Sequence, residues 1–306
     1  MDIFNFGKKK ILISGATALL CCVVMVLFPE VTLNSARKGI SLWFSDVLPA
    51  LMPFFICANF LNNIGILKML KSGVFPFAMS TLSGYPMGAK IIGDLKRSGE
   101  ISLNETKRLL SFCSTSGPAF MISAVGAGML GSGAAGGIIA ISHYLGAIIN
   151  GVLYTKILGK SDMGVYIGPI SEKSNVQEML TDSILSTFKS LGIVLAYIVL
   201  FMLATDIMHM CGIMNFVQGN ELKALIKGFL EMTVGCGAVA EIKGATDITK
   251  CVMSTAIISW GGLSILGQTM SMLSGTGVNT GYVILSKLTH SIFSAVLALI
   301  IGIFVL

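Results

Sequence analysis

Apolar runs of about 20 residues, the length of a helix across a bilayer, follow one another along most of this chain of 306 residues. Charged residues make up 12% and hydrophobic residues 54%, where a soluble domain carries roughly 25% charged residues. That little polar surface cannot cover a globule in water, and lipid is the solvent that removes the problem. The chain reads as an all-α polytopic membrane protein, a single integral membrane domain over residues 1–306 with no polar stretch left for a soluble one.

The formal net charge of +6 is explained by Lys and Arg gathering in cytoplasmic loops. No basic patch interleaved with aromatics points to nucleic acid. The seven cysteines are odd in number and form no CxxC, so they read as reduced apolar side chains. The three histidines are far apart and HExxH is absent. No metal, no cofactor and no enzymatic constellation is therefore expected. Lys8-Lys9-Lys10 precedes the apolar run Ile11 to Phe28. That run reads as an uncleaved first span with a cytoplasmic N-terminus, because Phe28-Pro29-Glu30 is no signal cleavage site.

A second run, Ile40 to Leu61, is interrupted by Asp46, Pro49 and Pro53, and a basic stretch with Lys68 and Lys71 follows. Val74 to Ile92 is apolar but holds Gly and Pro at its centre, which break a helix at membrane depth. A charged connection, 93–110, leads to a second broken stretch, 111–130, and then to a span over about 136–158. A polar loop, 159–180, precedes an unbroken span, Ile184 to Met208. Phe229 to Ile242 and Cys251 to Met270 are again interrupted, and Tyr282 to Leu306 is the last span.

The order of features recurs. N-terminal spans (1–71) precede a first unit (72–158), a linking span (181–208) and a second unit (222–306). Gly131-Ser132-Gly133 resembles Gly275-Thr276-Gly277, and His143 pairs with His290. With the basic 93–110 link inside and the nearly neutral 241–250 link outside, the second unit sits upside down. Inverted repeats with broken helices are the mark of secondary transporters.

Irregular backbone in a membrane survives only where protein or a wet cavity satisfies it. A solute site is one reason for such breaks. The first candidate is Ser83-Gly84-Tyr85-Pro86-Met87-Gly88-Ala89-Lys90, where Lys90 supplies positive charge. The second is Ser114-Thr115-Ser116-Gly117-Pro118, three hydroxyls before Gly-Pro. The third is Glu231-Met232-Thr233-Val234-Gly235, with an ionisable group inside an apolar segment. Ser259-Trp260-Gly261-Gly262 is a weaker fourth. Substrate contacts are expected from Ser83, Gly84, Tyr85, Pro86, Gly88, Lys90, Ser114, Thr115, Ser116, Gly117, Glu231, Thr233 and Gly235. His143 and His290 are either proton relays or packing partners. Tyr85 and Trp260 offer rings for stacking.

The first and third motifs, with the second extended back to Ser111-Phe112-Cys113, together resemble the YlbJ-type sporulation integral membrane proteins, which carry nucleoside-recognition (Gate) repeats. The resemblance spans roughly residues 40 to 306. It implies two Gate-like repeats of broken helical hairpins, and the passage of dipicolinic acid, a small aromatic dicarboxylate, during endospore formation. The expected partners are a small anionic solute and the lipid of the cell membrane or of a membrane around the forespore. A coupling ion, H+ or Na+, and a homo-oligomeric state are left open. Two alternatives stand beside it: a nucleoside-type transporter, for which Glu231 suits, and a membrane scaffold for spore assembly that transports nothing.

Overall fold

The computed structural model describes residues 2–64, 74–159 and 175–306. Lys68, Lys71 and most of the 159–180 loop lie outside the described residues. All regular structure among the described residues is helical, as the lack of water for unpaired backbone demands. Four helical segments are long and apolar enough to cross a membrane: Gly133–Leu158, Val176–Met210, Asp247–Met272 and Thr280–Val305. Ala18–Leu27 and Pro29–Val47 form a further pair, bent by 106° at Phe28. The first apolar run thus ends at a sharp corner, because Pro29 starts a new helix there.

Four helices build one side of the molecule. They are α1 (Asp2–Leu27), α2 (Pro29–Leu42), α3 (Leu48–Ile64) and α8 (Val176–Met210), with a π-helical turn, Trp43–Val47, joining α2 to α3. Both α2 and α3 pack on α8. The pairing is fixed by polar pins: Asn59 donates to Thr187 at 3.0 Å, Asn63 to Ser183 at 2.9 Å, and Ser35 to Asp206 at 2.8 Å.

Two units of like construction make the rest. The first holds α4 (Val74–Ser83), α5 (Met87–Arg97), α6 (Leu103–Cys113), a π-helical segment (Ala119–Met129) and α7 (Gly133–Leu158). The second holds α9 (Asn220–Leu230), α10 (Met232–Ala240), α11 (Asp247–Trp260), α12 (Gly262–Met272) and α13 (Thr280–Val305). A shift of 147 residues, the separation of His143 from His290, carries the end of α4 onto that of α9 and the end of α6 onto that of α11. It also lays α7 on α13 from end to end. Ser132 and Asn279, the side-chain caps of α7 and α13, fall on each other too.

Contacts between the units obey the same exchange. α5 packs on α12 as α10 packs on the π-helical segment, and α6 meets α13 as α11 meets α7. At the centre α7 and α13 lie side by side, where Gly146 leaves room for Ser294 and the imidazoles of His143 and His290 are 4.7 Å apart.

The breaks are of two kinds. α4 folds back on α5, and α9 on α10. A Cβ on Gly88 would sit 1.9 Å from the Cys113 carbonyl, and one on Gly235 would sit 2.2 Å from Gly228 Cα. Glycine is the residue that permits such backbone approach. The other two breaks, 114–118 and Gly261, interrupt a chain that runs on without folding back.

Candidate functional site

Backbone groups freed at a break need partners, and several of those at the second break have them. Ser80 Oγ accepts the Thr115 N–H at 3.1 Å and bonds the Thr115 hydroxyl at 2.9 Å. His143 Nε2 accepts the Ser116 N–H at 3.0 Å, and Tyr144 donates to the Ser116 carbonyl at 3.0 Å. Lys287 Nζ donates to the Ser114 carbonyl at 2.8 Å. At the third break Glu231 caps α10, accepting the Val234 N–H at 2.7 Å. Trp260 donates to the Phe229 carbonyl at 3.0 Å and stacks on the Phe229 ring at 5.2 Å. Its indole is therefore a packing group of the third and fourth breaks.

The breaks touch at their tips. A Cβ on Gly84 (φ +69) would lie 2.8 Å from Gly117 N, and one on Gly262 (φ +81) would lie 3.0 Å from the Leu230 carbonyl. Tyr85 crosses between the units: its hydroxyl donates to the Ile258 carbonyl at 3.2 Å and accepts from Lys287 at 2.6 Å. The Lys287 ammonium also lies 4.2 Å from the Tyr85 ring centroid. No carboxylate pairs with Lys287 among the described residues. It is a buried amine on α13 whose partners are a phenol and a carbonyl.

Against these tips lies a cavity of about 40 Å³, room for a few waters. Ser83, Gly84 and Tyr85 of the first break line it, with Ser116 and Gly117 of the second and Glu231 and Thr233 of the third. Gln268 of α12 joins them, and Val47, Leu51, Phe54, Val194 and Tyr197 close it from the π-turn, α3 and α8. Ser83 Oγ and the Gln268 carbonyl oxygen are buried in this wall without a hydrogen-bond partner. Buried polar atoms are rarely left so, and a missing ligand or water is a standard cause. A smaller space of about 10 Å³ adjoins Lys287, and there the Ser114 and Thr269 hydroxyls are also unpartnered.

A wide polar recess of about 670 Å³ lies beyond the cavity wall, lined by Arg37, Lys38, Asp46, Asp206, Lys227 and Glu241. Asp46 and Val47 are neighbours in the π-turn, one on the recess and one on the cavity. Val234 and Thr233 divide in the same way at the start of α10. Two short elements thus separate the spaces.

The remaining sequence candidates are placed elsewhere. Lys90 is exposed and lines neither space. Thr115 is consumed by Ser80, Gly88 and Gly235 are packing contacts, and Pro86 follows a cis bond beside the cavity without lining it. Ser114 faces the smaller space. His143 Nε2 must be the acceptor of its pair with an amide N–H, so Nδ1 carries the proton and donates to Ser259 Oγ at 2.8 Å. His290 Nε2 bonds the His143 carbonyl at 2.9 Å. Both imidazoles are pins between helices and neither lines the cavity. Lys287 and Gln268 were not marked by any break; an ionisable residue inside the apolar run Tyr282 to Leu306 is the signal that points to the first.

The sporulation integral membrane protein YlbJ of Bacillus subtilis (strain 168) is 24% identical to this chain over 346 aligned positions, covering 97% of this chain and 84% of the relative. The likeness runs over nearly the whole chain. No family model and no solved structure matches it. Within the YlbJ-type frame, the three motifs that carried the resemblance are those whose breaks meet at the cavity.

Proposed function

We propose that this chain moves a small organic anion, dipicolinate, across a membrane of the sporulating cell. One observation carries the reading: three breaks of the backbone and α12 converge on a single cavity, and polar atoms in its wall lack partners. Helix breaks at membrane depth surround substrate sites in secondary transporters. Lys287 supplies positive charge beside it through Tyr85, and the rings of Tyr85, Phe54 and Tyr197 suit an aromatic solute. The sporulation name of the relative supports the cellular setting. A cavity of about 40 Å³ is too small for a pyridine diacid, so the described state is a closed one. Loading requires the π-turn and α3 to part from the breaks.

Proteoliposomes holding the purified protein should take up labelled dipicolinate. Lys287→Met should lower the rate at least tenfold, and Tyr85→Phe should lower it less, because the ring stays. Uptake unchanged by Lys287→Met removes that charge from the site, and no uptake of dipicolinate sinks the substrate. A second reading has its own support. Glu231 and Gln268 line the cavity together, and a carboxylate with an amide is what a neutral nucleoside would want. Uptake of nucleosides that dipicolinate does not inhibit would establish it.

A further inference from the structure

Glu231 is 3% exposed and sits in the cavity wall. One oxygen, Oε2, takes the Val234 N–H. The other, Oε1, has only the Thr233 hydroxyl at 3.4 Å and the Ser264 hydroxyl at 3.5 Å. No cation pairs with it among the described residues. Lys227, one turn upstream, lines the outer recess, and Lys250 is held by the Ala240 carbonyl. α12 and the π-helical segment carry no ionisable side chain. Tyr85 and Tyr197 share the cavity, Cys236 follows one turn along α10, and Asp206 of α8 is paired with Lys38. A carboxylate charge in such a place needs a positive partner, and the described protein does not provide one.

A second observation points to the same spot. Ser264 and Gln268 are one turn apart and share a face of α12. The first reaches Glu231, and the second turns an unpartnered carbonyl oxygen into the cavity that Glu231 lines. Hard oxygens therefore gather on this side around one negative charge. That set fits a single positive charge. No group of three His, Cys, Asp or Glu able to hold a metal ion occurs among the described residues.

We propose that Glu231, with Thr233, Ser264 and Gln268, binds a small monovalent cation, a proton or Na+, and that this cation must be in place before an anion enters the cavity. The second half of this statement rests on the anion reading above; the first does not. The physical reason for the coupling is direct. An ionised Glu231 shares its cavity with the solute and repels a carboxylate. A cation on Glu231 removes the repulsion, so the two ligands bind together and cross together.

Calorimetric titration of the purified protein with dipicolinate tests the coupling between about pH 6 and pH 8, where the solute carboxyls stay ionised. Affinity should rise roughly tenfold, an ordinary coupling between two sites, when the cation is raised. In choline buffer a fall in pH reads the proton; at fixed pH added Na+ reads sodium. Glu231→Gln should bind tightly throughout, and Glu241→Gln, in the outer recess, should behave as wild type. Should Glu231→Gln fail to fold, Glu231→Asp keeps the charge, displaces it, and should weaken the dependence. Wild-type affinity indifferent to both cations overturns the coupling, as does the same dependence in Glu231→Gln. If dipicolinate does not bind at all, the anion reading fails and the cation site is judged alone. Thermal unfolding of the wild type should then rise with one of the cations where that of Glu231→Gln does not; equal response in both proteins overturns the site.

Discussion

His143 shows how a residue that resembles a catalytic group can be committed to architecture. Its two ring nitrogens hold the Ser116 N–H of the second break and the Ser259 hydroxyl before the fourth. His143→Ala leaves the Ser116 N–H buried without an acceptor, a loss of about 1–3 kcal/mol. Thermal unfolding in detergent should fall accordingly. His143→Gln, whose amide oxygen reaches the place of Nε2, should recover much of the loss and most of the transport. A relay would be lost in both variants. Residue roles of this kind were only partly legible in the chain. Ser83, Tyr85, Ser116 and Glu231 stand at breaks marked by Gly or Pro, and they line the cavity. Lys90 belongs to the most specific motif, yet lies half a turn past the buried Gly88, on an exposed position of α5. The buried lysine near the breaks is Lys287 instead, from a run with no break to mark it.

Among elements, glycine marks decide which helices fold back and which only falter. Glycine stands at all four breaks, joined by proline at the first two, so their presence was legible and their kind was not. The difference is made at a distance: α9 and α10 close because Gly228 meets Gly235, and α5 can lie on α6 because Gly88 admits the Cys113 carbonyl. Gly88→Ala therefore overpacks this contact and should cost about 1–3 kcal/mol, seen as early thermal unfolding or loss of a monodisperse peak. Gly137→Ala is the counterpart. It lies in α7 with nothing within 4 Å of the added carbon, and should be neutral or stabilise by about 0.5–1 kcal/mol through helix propensity. Equal damage from both would mean that glycine matters here for something other than space.

Across the whole molecule, the all-α polytopic class followed from composition alone, while the shift of 147 residues that lays α4, α6 and α7 on α9, α11 and α13 was visible only in part. Side chains diverged under different packing, and the paired histidines with the Gly-rich turns were what remained to be read. If the units are inverted, the short links 98–102 and 241–246 open on opposite sides. Ser98 and Lys243 are exposed there. In a chain stripped of its exposed cysteines, Lys243→Cys should react with an impermeant maleimide on intact cells, and Ser98→Cys only after permeabilisation. Labelling of both from one side would show that the units share an orientation. The exchange that relates the backbones does not relate the charges. Shifted by 147, Glu231 falls on Gly84 and Lys287 on Ala140, so one unit is electrically blank where the other bears both signs. On the transport reading proposed above, discrimination by charge belongs to the C-terminal unit alone. A chimaera that receives residues 220–306 from a relative with another cargo should adopt that relative's preference, and the reciprocal graft of 74–158 should leave the choice where it was.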